Sequence, residues 1–185
     1  MKSILIFLLI LFCSGNALAV EVAGVNIASE TEVAGEKLQL NGYGIRKKFV
    51  FVKVYVGSLY TPQKTTRASQ VLDMTGNKLI RMDFLYKKVD KKKIIDAFAE
   101  GFEKNSPKLV ATPPVRKFLG LFGDDFVAGD QVDLILGADG RVRATHNGRD
   151  LGSIESKELA QGILLIYLGD QPADVDMKKG MLGGS

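Results

Sequence analysis

Arg46 is the side chain whose type and position suggest chemistry most directly. It closes the run Lys37 to Arg46, in which Leu38, Leu40, Gly42, Gly44 and Arg46 share one parity. As a strand, this run puts the guanidinium on the same face as two leucines, the face expected to be buried. The alternation weakens towards Arg46, and a bulge at Gly42 or Gly44 would flip it. A guanidinium on an apolar face is costly unless it is paired. It can bridge to a buried carboxylate, snorkel out at the sheet edge, or anchor an anion inside an apolar cleft. For the last use its fork suits a carboxylate, which it meets through two hydrogen bonds. Tyr55, on the adjoining run, is placed to donate its hydroxyl to the same anion, or to bond a backbone carbonyl as an ordinary core tyrosine. Tyr86 and Tyr167 are weaker candidates.

Other chemistries lack their parts. The single histidine, His146, sits beside an expected surface hairpin, so a Ser-His-Asp triad has little to position its base. The single cysteine, Cys13, lies in the N-terminal apolar run. No cluster of His, Cys and carboxylates has zinc-ligand spacing, so no metal and no cofactor are expected. Asn41-Gly42-Tyr43-Gly44 resembles half a nucleotide loop but lacks the third glycine and a following helix. The plainer reading is a strand that something approaches closely. Lys87, Lys88, Lys91, Lys92 and Lys93 crowd a helix start, where the dipole disfavours cations. They form either a solvated face or a peripheral contact with anionic membrane. A net charge of +4 is too mild and too dispersed to suggest nucleic acid.

The elements that must hold these residues follow from periodicity and turn chemistry. Strands are expected at Val20 to Ile27, Lys37 to Arg46 and Phe49 to Tyr60. The third is apolar on both faces, with Phe49, Phe51, Tyr55 and Leu59 opposite Val50, Val52, Val54 and Val56. A short helix covers Arg67 to Met74. The strand Lys78 to Tyr86 points Ile80, Met82, Phe84 and Tyr86 inward. Asp90 caps a helix running to Glu103, with Ile94, Phe98 and Phe102 along one stripe. Pro114 opens another helix. Gln131 to Gly137 and Arg141 to His146 form a hairpin. Asn147-Gly148 makes a type I′ turn into Arg149 to Ile154. Ser156 caps a helix that buries Leu159, Ile163, Ile166 and Tyr167 and ends at Gly169. A last small helix covers Val175 to Lys179. This ordering is α+β, an antiparallel sheet with a layer of helices over one face.

Residues 1–19 read as a signal peptide. Lys2 precedes the apolar run Ile4 to Phe12, and Ala17-Leu18-Ala19 is a small-x-small cleavage site. The run is too short for a membrane span, which needs about 20 residues. Cleavage after Ala19 leaves 20–185 as one domain without cysteine, in the periplasm or secreted.

Gly42-Tyr43-Gly44-Ile45-Arg46, followed by Phe51-Val52-Lys53-Val54-Tyr55-Val56-Gly57-Ser58-Leu59-Tyr60, resembles the signature of the chalcone-isomerase-like family. Tyr167-Leu168-Gly169-Asp170-Gln171-Pro172, then Met177-Lys178 and Leu182-Gly183, is similar to that family's ending. The resemblance implies an antiparallel sheet, helices over one face, and a ligand cleft between. Plant members close a flavanone ring. Their key arginine corresponds to Arg46, and a cleft threonine falls at about Tyr55. Their active-site tyrosine, asparagine and late threonine fall near Ile94, Gly101 and Ile166, which have no hydrogen-bonding side chain. Stabilising an enolate oxygen needs placed donors, so chalcone isomerase activity is not expected. Fatty-acid-binding members set an arginine and a tyrosine on the carboxylate, a pattern that Arg46 and Tyr55 resemble. The expected site is therefore Arg46 and Tyr55 on a carboxylate, with Phe51, Phe84, Phe98 and Ile163 lining an apolar pocket. An intramolecular lyase acting on an enone, with Arg46 polarising a carbonyl and Tyr55 moving a proton, is the alternative. A partner-binding envelope protein with a filled cleft is a third reading.

Overall fold

A computed structural model describes the protein over residues 19–49 and 51–184. The expected signal peptide, Cys13 included, lies outside the described residues except for Ala19.

Short turns build the N-terminal part. Strand β1 (Ala19–Val22) returns as β2 (Val25–Ala28), and β3 (Glu30–Val33) as β4 (Glu36–Lys48). Each turn is an Ala-Gly pair, Ala23-Gly24 and Ala34-Gly35, with both residues at positive φ. Type I′ turns require this, and it divides the single strand expected over Val20 to Ile27. Strand β5 (Val52–Thr61) follows, then helix α1 (Ala68–Asp73), β6 (Lys78–Phe84) and β7 (Lys88–Val89). Helix α2 (Lys91–Asn105) begins under the Asp90 carboxylate, which accepts from the Lys92 N–H at 2.7 Å. A 3₁₀ turn (Pro107–Leu109) leads to α3 (Pro113–Leu119), opened by its prolines. Strands β8 (Phe126–Val127), β9 (Gln131–Leu136), β10 (Arg141–His146) and β11 (Arg149–Glu155) come next, the last two joined by Asn147-Gly148 at positive φ. Helix α4 (Lys157–Leu168) is capped by Ser156, and α5 (Val175–Met181) by Asp174.

Seven strands form one antiparallel sheet in the order β11-β10-β9-β6-β5-β4-β3. The fold class is α+β, as expected. One face carries Leu59, Ile80, Met82, Phe84 and Leu134 against α2, α3 and α4, in the main core. The other face gathers Leu38, Leu40, Val56, Tyr60 and Leu79 with Ile27 of β2.

Two bulges decide which side chains face the helices. Leu40 pairs with Tyr60 but Gly42 pairs with Leu59, so Asn41 is the extra residue of β4. The Asn41 side chain fills this place. Its amide donates to the carbonyls of Thr65 (3.0 Å) and Met181 (2.7 Å), and its oxygen accepts from the Thr65 N–H (2.7 Å). Beyond the bulge the parity reverses. Leu38 and Leu40 stay on the far face, while Gly42, Gly44 and Arg46 turn to the helices. The face shared by Arg46 and the two leucines is thereby corrected. The flip occurs at Asn41, one residue before the glycine at which the pattern allowed it.

On β5 the second bulge leaves Val54 unpaired, because Arg46 pairs with Tyr55 and Lys47 with Lys53. It separates Phe51 from Tyr55, which alternation had put on one face. Phe49 and Phe51 lie in the turn between β4 and β5 rather than in a strand and are 82 % and 90 % exposed. Phe49 sits at φ 54°, a left-handed conformation that costs a non-glycine residue roughly 1–2 kcal/mol. Tyr86, expected inward, lies past the end of β6 and is 43 % exposed.

Candidate functional site

The β4–β5 register sets Arg46 directly opposite Tyr55, and directly opposed residues of an antiparallel pair share a face. Gly42 and Gly44 let α5 lie against β4 beside them. A Cβ on Gly44 would stand 2.5 Å from Met177 Cα, and one on Gly42 would stand 2.2 Å from the Gly180 carbonyl oxygen. The close approach inferred for this Gly-rich stretch is therefore a helix rather than a nucleotide. It brings the turn before α5 over Arg46, whose Nη1 donates to the Ala173 carbonyl at 2.7 Å.

Arg46 is half-buried, and among the described residues no carboxylate lies within 4 Å of its guanidinium. Asp174, next to Ala173, is occupied elsewhere. It accepts from the Lys47 N–H (3.0 Å) and the Met177 N–H (2.9 Å) at the start of α5. The positive charge of Arg46 thus has a neutral partner and unused N–H donors.

Behind Arg46 is a small cavity. Tyr55 and Met82 wall it from the sheet, Ile94, Ala97 and Phe98 from α2, and Ile166 and Tyr167 from α4, with Ala173 over it. Its volume is about 20 Å³, enough for roughly one water. Ile94 and Ile166, near which the family resemblance set the plant tyrosine and late threonine, line this cavity and present only hydrocarbon. Gly101, near which the resemblance set the asparagine, serves helix packing instead. A Cβ there would meet Ile166 Cγ2 at 2.8 Å.

Two phenols face the same place. Burial raises the Tyr55 pKa above the usual phenol range, against the opposing pull of Arg46 and of a hydrogen bond with Tyr167. Burial, together with the neighbouring Tyr55, raises that of Tyr167 well above it. Both therefore carry their protons at neutral pH and act as donors. The Tyr167 hydroxyl donates to the Met82 sulfur at 3.2 Å, a weak acceptor that a better one would replace. Sequence reasoning ranks Tyr167 low because period 3.6 identifies a buried face of α4 but not which turn of it overlies Arg46.

In front of Arg46 lies a larger groove, of about 320 Å³. Val52, Val54, Tyr86 and Val89 give it apolar walls, and Lys48, Lys88 and Lys93 give it charge. Arg46, Ile94 and Ala97 line both spaces, so Arg46 stands at the boundary between them.

The expected site is only partly assembled. Arg46, Tyr55 and Phe98 meet at the cavity. Phe84 does not line it. Its ring stacks on Phe126 at 4.7 Å and tilts against Tyr55 at 5.5 Å. Ile163 is fully buried in the main core and does not line it either. Phe51 stands in solvent at the hairpin loop. The cavity is small because aromatic rings fill the space: Phe98 packs on Phe118 (5.1 Å) and on Phe122 (5.3 Å).

The lysine segment divides. Lys88 pairs with Asp125 (3.0 Å) and Lys92 with Asp96 (2.7 Å), and Lys91 donates to the Gly123 carbonyl (2.6 Å). Lys87 and Lys93 have no ion pair among the described residues. His146 lies apart, with Nε2 3.1 Å from Asp130 and its ring against Phe126. No group of three or more potential metal ligands occurs among the described residues. No helix among them is long and apolar enough to cross a membrane.

The chain belongs to the chalcone isomerase-like family, whose model matches residues 19–183. A solved structure, that of a fatty-acid binding protein of Arabidopsis thaliana, is similar in fold. Its TM-score is 0.73 and its identity 20 %, covering 89 % of this chain and 96 % of that one. No curated protein sequence matches the chain.

Proposed function

We propose that this is an exported chalcone-isomerase-like protein that binds a small apolar carboxylate of the fatty-acid type, with its head on Arg46. The observation that carries this reading is the unneutralised guanidinium at the boundary between a basic, apolar-walled groove and a small apolar cavity. A half-buried charge without an acid keeps part of its desolvation cost, and a carboxylate arriving from the groove would offset it through two charge-assisted bonds. The Tyr55 and Tyr167 hydroxyls, held protonated, add donors from behind. The fold shared with a protein named for binding fatty acids supports the same ligand class.

The cavity of about 20 Å³ does not admit an alkyl chain, so the chain lies in the outer groove along Val52, Val54, Tyr86 and Val89. That groove, at about 320 Å³, falls at the lower end of ligand-site volumes. Each buried methylene contributes about 0.8 kcal/mol. Carrying the bound acid, rather than transforming it, fits the walls. An enone isomerase would need placed polar groups at Ile94, Gly101 and Ile166, and a base, whereas burial pushes Tyr55 away from acting as one. Export rests on residues 1–19 and their small-x-small site.

Mass spectrometry of small molecules released from the natively purified protein tests this. Long-chain acids are expected with the wild type and lost in Arg46→Ala. The Arg46→Met variant should keep its folding stability within about 1 kcal/mol, because it exchanges one neutral-partner bond for apolar packing. Wild-type protein that carries no acid and takes up none when it is supplied would overturn the reading.

A further inference from the structure

The β4–β5 hairpin ends in a combination that folding alone does not favour. Phe49 and Phe51 expose nearly all their surface at its loop. Phe49 also adopts φ 54°, a conformation that Asn or Gly accepts more readily. Just behind the loop Lys47 and Lys53 are Cα partners, like charges set directly opposite each other, which weakens a strand pair. Lys48 lies on the other face of the hairpin with Lys88 and Lys93 around the groove, and Tyr86 is exposed beside them. Lys47, Lys48, Lys53, Lys87 and Lys93 make no ion pair among the described residues, while Asp125 and Glu100 at this end are matched with Lys88 and Lys104.

From this we infer that the hairpin tip docks the protein on an anionic phospholipid bilayer, with Phe49 and Phe51 entering the headgroup and acyl boundary and the lysines on either face of the hairpin resting on the phosphates. The chemistry favours a lipid surface over a protein partner. Among the described residues, the apolar element of the hairpin tip is two side chains, far below the roughly 1,000 Å² of a specific protein interface. Its cations are lysines, which protein interfaces avoid in favour of arginine. Aromatic side chains with lysines around them suit the interfacial layer, where rings bury shallowly and flexible ammonium groups reach anionic headgroups. Docking in this way turns the mouth of the groove, which Phe49 and Lys48 line, towards the bilayer. The docking itself does not depend on what the groove holds.

The experiment is flotation of the full chain with vesicles of phosphatidylcholine alone and of phosphatidylcholine with about one-third phosphatidylglycerol. The wild type is compared with Phe49→Asn/Phe51→Ser and with Lys47→Glu/Lys53→Glu, all carrying the same N-terminus. The wild type should bind the anionic vesicles at least tenfold more strongly than the neutral ones and release as salt is raised. Each double variant should bind at least tenfold more weakly. The Phe49→Asn/Phe51→Ser variant should melt at or above the wild-type temperature, which removes misfolding as the cause. The sequence has no tryptophan, so Phe51→Trp supplies a single reporter whose emission should shift to the blue on anionic vesicles only. Equal binding by wild type and tip variants overturns the inference. So does an unshifted emission from the Phe51→Trp reporter, or a wild-type dimer that the tip substitutions dissociate while vesicle binding is absent.

Discussion

The phenylalanines of the described residues divide into two groups that differ in every physical respect. Phe84, Phe98, Phe102, Phe118, Phe122 and Phe126 are buried and joined ring to ring, with centroid distances from 4.7 to 6.4 Å along the chain of contacts. Phe49 and Phe51 touch little and stand in water. Arg46 lies between the groups, with the aromatic core behind it and the open groove before it. The contrast shows that packed rings fill the enclosed side of this fold, which leaves the groove and the hairpin as the places where the proposed binding would occur.

The largest break in that contrast comes from inside. Phe118→Ala should cost about 3–5 kcal/mol in urea unfolding, because Phe118 touches three other rings and its removal leaves a cavity. Phe51→Ser at the tip should change stability by no more than about 0.5 kcal/mol. Comparable costs at the two sites would mean that the tip is packed against something in the folded protein. Next in size is Gly44→Ala. Its methyl group would press on the Met177 backbone, which cannot move as a flexible side-chain end can, and the loss should be about 1–3 kcal/mol. Since α5 brings Ala173 over Arg46, the same substitution should loosen the cover on the guanidinium. A melting temperature equal to the wild type's would show that α5 is not held against β4.

The smallest effect concerns the phenols behind Arg46. Burial raises the pKa of Tyr55 and Tyr167 in the folded state, while unfolded tyrosine ionises near pH ~10. Their contribution is therefore fully present below about pH 10 and is lost as pH rises towards the folded values, with a limiting slope near 1.4 kcal/mol per pH unit for each group. Tyr167→Phe should flatten the alkaline limb of stability against pH by up to that amount and leave neutral pH little changed on this account. A limb of unchanged steepness would mean that Tyr167 is solvated.

Local chemistry made much of this protein readable in one dimension. The Asp90 and Ser156 caps, the Asn147-Gly148 turn, the Ile94-Phe98-Phe102 stripe and the strand pattern of β6, β9 and β10 each depend on neighbours a few residues away, and the antiparallel α+β architecture follows from their order. That the strands of Arg46 and Tyr55 adjoin was legible in the same sense, since a short link between two strands makes a hairpin, but a regular hairpin would set Arg46 opposite Val54, and the bulge there brings Tyr55 into its place. What the sequence could not contain was the side of the sheet on which each residue falls. That was decided at Asn41, whose amide bonds reach Thr65 and Met181, the latter far along the chain, and at the unpaired Val54. One residue added to a strand reverses every side chain beyond it. Thus Arg46 came to face the helices and Phe51 was separated from Tyr55. Whether a buried phenylalanine lines a pocket or fills it also depends on how many other rings share the space, which only the packed structure sets.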